Sequence, residues 1–163
     1  MTTPDELDDL EFKIIKEDWN VYEFKDGTKL KGRIFLTRVA EHKNPKPPSD
    51  LKPNEVFGQY SLSVQTNFQV FAPPHKKGNP TLPLPPIGQI TDQQKEETEI
   101  LSANEPWNVY EIIKNGTIIR IKLVVSEVHR VKDVFDQFCE PYFVVKNAPM
   151  FDYKPPNRKE KFA

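Results

Sequence analysis

The sequence predicts an all-β protein made of two related lobes, and three observations predict it. The pentapeptide Trp-Asn-Val-Tyr-Glu occurs twice, from Trp19 and from Trp107. Each copy runs into a Gly-Thr turn, Gly27-Thr28 or Gly116-Thr117. After each turn comes a stretch of period-two alternation, the signature of a half-buried strand. In an 88-residue offset Thr3 meets Thr91, Trp19 meets Trp107 and Glu23 meets Glu111 without a gap, so the repeat covers most of the chain. The expectation is an internal duplication giving two tandem small β-barrel or sheet lobes. The alternative is one closed barrel or sandwich to which both copies contribute strands.

The elements follow in order. "TPDELDDLEFKII" opens as a short helical turn, with Thr3 as N-cap, Pro4 at the first helical position and Glu6 closing a capping box. "TDQQKEETEIL" repeats the device with Thr91 and Gln94. Both lead-ins then pass into short strands, at 11–15 and 99–101. Residues 19–25 and 28–42 form a hairpin, as do 107–114 and 117–131. Asp26-Gly27 and Asn115-Gly116 tolerate the positive φ of a type I′ turn. In the long strand Leu30, Gly32, Ile34 and Leu36 share the apolar face, matched by Ile119, Ile121, Leu123 and Val125. Returning strands occupy 59–71 and 142–153, with Tyr60 matched to Tyr142. Prolines 45, 47, 48 and 53 make the first connection a loop. The resulting divisions are a first repeat at 3–71, a proline-rich linker at 72–90, a second repeat at 91–153 and a basic tail at 154–163. Sixteen prolines in all, dense between Pro73 and Pro86, give that linker an extended, polyproline-like character. The hairpin "KDGTKLKGRIF" is similar to strands of Sm-like and SH3-like small barrels, and this one hairpin carries the whole likeness.

Composition narrows the function classes. No apolar run approaches the roughly 20 residues that cross a bilayer, so no membrane role is expected. The acidic "MTTPDELDDLEF" has neither the basic nor the apolar region of a signal peptide, and a single Cys139 excludes an internal disulfide. A cytoplasmic setting is the expectation. The net charge of -1 gives nucleic acid no overall attraction.

The candidate binding residues come from the repeat. Trp19, Tyr22, Trp107 and Tyr110 are aromatic and amphipathic, suited to a ligand platform and equally to a core. Asn20 and Asn108 suit local hydrogen bonding at a strand start. Lys31, Arg33, Arg120 and Lys122 alternate on the wet face of the long strands, where they suit phosphates or simply guard the sheet. Histidines 42, 75 and 129 stand apart, Cys139 has no base beside it, and no glycine loop for phosphates occurs. No metal, cofactor or catalytic residue is therefore assigned. Lys77 and the prolines that follow it suit a groove that binds polyproline helices. The expected function is a non-catalytic binding or adaptor protein that recognises a protein partner through two related faces. Nucleic-acid binding through the basic strand faces is the alternative, and an enzyme with a site between the copies is the third reading.

Overall fold

The computed structural model describes residues 4–43, 55–56 and 59–155. Thr3, the four loop prolines from Pro45 to Pro53 and tail residues 156–163 lie outside them. The described chain is all-β, and its strands form two antiparallel sheets, neither of which closes into a barrel. The strands are β1 (Leu7–Leu10), β2 (Phe12–Lys16), β3 (Asn20–Phe24), β4 (Lys29–His42), β5 (Glu55–Val56) and β6 (Tyr60–Phe71), followed by β7 (Lys95–Glu97), β8 (Ile100–Asn104), β9 (Trp107–Ile112), β10 (Ile118–Phe135) and β11 (Pro141–Lys154). Short 3-10 turns at Pro4–Glu6 and Asp92–Gln94 occupy the acidic lead-ins. At the second, Thr91 N donates to Gln94 Oε1 at 2.8 Å.

One sheet runs β5-β6-β4-β3-β8 with β1 beside β4, and the other runs β11-β10-β9-β2 with β7 beside β10. Two pairings cross between the halves of the chain. β2 pairs with β9, Phe12 opposite Ile112, and β8 pairs with β3, Ala103 opposite Tyr22. Each lead-in therefore pairs first with its own long strand, through β1 or β7, and then joins the sheet of the other half through β2 or β8. These exchanged strands tie 3–71 to 91–153 by backbone hydrogen bonds.

The long strands supply the core. Ile119, Ile121 and Leu123 of β10 are fully buried and meet Ile34, Leu36 and Val39 of β4 with Tyr60, Leu62, Tyr110 and Ile112. A second cluster joins Leu30, Tyr22 and Phe24 to Val128 and Phe143. Both clusters draw on both sheets, so the sheets pack face to face. The register shifts between Leu36 and Arg38 on β4 and between Val125 and Glu127 on β10 break the strict alternation, and burial resumes beyond them at Val39, Ala40 and His42 and at Val128 and Val131. Such a bulge turns the next side chains over, so one strand can serve a core along its whole length. Gly32 lies opposite Phe68, and a Cβ there would stand 2.6 Å from the ring. Glycine at this point of the apolar face makes room for the aromatic side chain.

Three expectations are corrected. Within the two turn pairs Gly27 (φ 91) and Gly116 (φ 76) have positive φ but Asp26 and Asn115 do not, so the hairpins are not type I′. Asp26 Oδ1 and Asn115 Oδ1 instead accept the N–H of Thr28 and Thr117 at 2.9 and 3.0 Å, side-chain turns that free these residues from the left-handed region. In the returning strands Tyr60 faces Glu41 while Phe143, not Tyr142, faces Arg130, one residue away from the match read in the sequence. Residues 72–90 do not run free as a spacer. Glu140 accepts from Ala72 N at 2.9 Å and pairs with Lys77 at 3.2 Å, Gly78 N donates to Cys139 O, and Thr81 N donates to Phe135 O. The segment is a strap laid against the β10–β11 turn.

Candidate functional site

The repeated pentapeptide is first a structural brace. Asn20 Nδ2 donates to the carbonyl of Leu123 at 2.7 Å and to Tyr22 Oη at 2.8 Å, and Tyr22 Oη donates to Glu105 at 2.7 Å. In the other half, Asn108 Nδ2 donates to the carbonyl of Ile34 at 2.7 Å, and Tyr110 Oη donates to Glu17 at 2.5 Å while accepting from Leu36 N. Every one of these partners except Tyr22 lies in the opposite half of the chain. The backbone groups that the asparagines bond are thus long-range ones, not the local ones expected at a strand start. Tyr22 and Tyr110 are buried, at 1% and 0% exposure, and take no part in an open aromatic platform. Burial raises the pKa of both phenols above the ordinary range, and the Glu105 and Glu17 carboxylates they donate to raise it further.

The other candidate residues remain on the outer faces. Trp19 is 38% exposed, and the Arg33 guanidinium lies 5.6 Å from its ring centroid and 5.2 Å from that of Phe35. Half-buried Trp107 carries Arg120 at 4.5 Å and Lys122 at 5.4 Å. Lys31 lies 5.5 Å from the Phe71 ring. The two arginines are already paired, Arg33 with Glu17 and Arg120 with Asp152. Lys31 and Lys122 have no carboxylate partner among the described residues. Each face therefore offers a tryptophan with an arginine near its ring, and that arginine's charge is met inside the chain.

An apolar cleft was not visible in the sequence. It has a volume of about 560 Å³ and lies between β6 and β11, walled by Phe68, Val70, Phe143 and Val145 and closed on one side by Leu82 and Phe138. Leu82, Ile87 and Phe138 expose more than half of their surface around it. The docked strap makes this cleft, and only its Leu82 and Leu84 hinted that the linker had an apolar side. His42 bonds Ser61 and His129 bonds Glu127, so neither histidine joins a cluster. Among the described residues, no helix is long and apolar enough to cross a membrane. No protein-family model, curated protein or solved structure matches the chain.

Proposed function

We propose that the chain is a non-catalytic protein-binding module, derived by internal duplication and carrying two related faces centred on Trp19 and Trp107. One observation carries this reading: Arg33 and Arg120 are each paired to a carboxylate of the same chain and stacked on an exposed or half-exposed tryptophan. An arginine that binds a phosphate must first give up its carboxylate, which weakens the electrostatic attraction on which nucleic-acid affinity depends. An arginine stacked on tryptophan is preorganised for a protein interface, where these two residue types supply much of the binding energy. Two such faces on one chain suit a bivalent partner, since the second contact gains effective concentration from the first. The cytoplasmic setting expected above suits such an adaptor.

The test compares wild type, Trp19→Ala, Trp107→Ala and the double variant as bait in native extract. Each single change weakens capture of a common partner, the double change removes it, and the thermal melts stay close to wild type. A parallel salt titration uses a single-stranded oligonucleotide and the variant with Lys31, Arg33, Arg120 and Lys122 all changed to Ala. Micromolar binding at physiological salt that this variant loses replaces the protein reading with nucleic acid.

A further inference from the structure

A sheet edge presents unpaired N–H and C=O groups, and soluble proteins guard such edges with charge, proline, short length or cover. Most edges of this molecule are guarded. β1, β7 and β8 are only four, three and five residues long. β2 carries Lys13 and Lys16. β11 is long, but it includes Lys146, Pro149, Asp152 and Lys154, and Asn147 Nδ2 donates to the carbonyl of Val145 beside it.

The edge of β6 differs from all of these. Its twelve residues, YSLSVQTNFQVF, hold no charge and no proline. Among the described residues, β5 pairs with its Tyr60 and Ser61 end. From 64 to 71 the side of β6 turned away from β4 has no backbone partner among the described residues. The same stretch runs beside the apolar cleft, which Phe68, Gln69 and Val70 help to line.

We propose that this edge pairs with the same edge of a second copy of the chain, antiparallel, about a two-fold axis through Asn67. The residues select that occupant. With Asn67 opposite Asn67 of the second copy, Gln65 falls opposite Gln69 on the wet face, and amide meets amide. On the other face Val64 falls opposite Val70 and Thr66 opposite Phe68, β-branched and aromatic pairs of the kind that stabilise antiparallel strands. A strand without charge opposes itself without repulsion, whereas it has no charge with which to choose a foreign partner. The incoming strand sets its Val64 and Thr66 over the mouth of the cleft and shields Phe68 and Val70. Two-fold pairing uses up both edges, so the assembly closes at two copies. The inference stands apart from the tryptophan faces, which lie on other residues.

Sedimentation equilibrium of the full chain tests it. Wild type has twice the mass of one chain in the micromolar range. Asn67→Lys and Asn67→Glu each place like charges face to face across the axis, and each raises the dissociation constant at least about tenfold. Mixed one to one, the two variants recover the dimer, because opposite charges then meet. Asn67 is exposed, so circular dichroism and melts of both variants match wild type. A monomeric wild type, larger open assemblies, or charge variants that still dimerise alone overturn the proposal. A mixture that stays monomeric overturns the axis at Asn67.

Discussion

Removing one hydroxyl group tests the brace between the halves. In Tyr110→Phe, Glu17 loses a donor at 2.5 Å and the N–H of Leu36 loses an acceptor at 3.2 Å. Leu36 is 5% exposed and the Glu17 side chain 9%, so water replaces neither partner well. A hydrogen bond to a charged group contributes about 1.5–3 kcal/mol and a neutral one about 1 kcal/mol, which together put the loss at about 2.5–4 kcal/mol. For a chain of this size that lowers Tm by about 5–12 °C. Urea unfolding followed by both tryptophan fluorescence and far-ultraviolet circular dichroism measures it. Trp19 and Trp107 report on one half each, and the exchange of β2 and β8 requires both probes to move together. Tyr142→Phe is the control, since its hydroxyl has no hydrogen bond among the described residues. It changes stability by less than about 0.5 kcal/mol. A Tyr110→Phe loss below that same level refutes the brace. Separate fluorescence and dichroism midpoints refute the coupling of the halves.

The remaining predictions concern pH, packing and chain connection. The raised pKa values of Tyr22 and Tyr110 keep both phenols protonated in the folded state after unfolded tyrosines ionise near pH 10. The unfolded state then binds fewer protons, so stability is intact below about pH 10 and falls as pH rises above it. Changing both residues to Phe flattens that fall in urea titrations taken across the alkaline range. Gly32→Ala drives a methyl group against the Phe68 ring and costs about 1–3 kcal/mol in the same assay, part of which Phe68→Leu restores. Fragments 1–76 and 77–163, expressed separately, give unfolded dichroism spectra and regain β structure on mixing, because each needs the strand that the other holds. Two fragments that fold alone overturn that expectation.

The strands were legible in the sequence because their cause is local. Alternation along β4 and β10, the Gly-Thr turns and the capping residues all act within a few positions, and each marks an element that forms. Pairing partners are not local. The sequence of 12–16 suits a short strand, but nothing within those residues says that its partner is β9 and not β3. The turn type was missed for a related reason. Asp and Asn tolerate positive φ, yet their side chains also accept the N–H two residues on, and here the hydrogen bond decided. The bulges after Leu36 and Val125 hide in the same way, since a parity change looks like weakened alternation until the partner strand fixes the register.

The candidate site divides along the same line. Arg33 and Arg120 lie on the outer face of the long strands, where alternation put them, but their meaning depends on Glu17 and Asp152, which reach them only in three dimensions. A tyrosine at an alternating position packs inward or outward with equal sense until the other sheet is present, and both Tyr22 and Tyr110 packed inward. The edge of β6 makes the point most sharply. That 60–71 contains no charge and no proline is plain in the sequence, and in a central strand it would signify nothing more than burial. It becomes a statement about association only because the chain order puts β6 outside β4 and leaves eight residues of it without a backbone partner among the described residues. Residue chemistry says what a strand can tolerate beside it, and topology says whether anything is there.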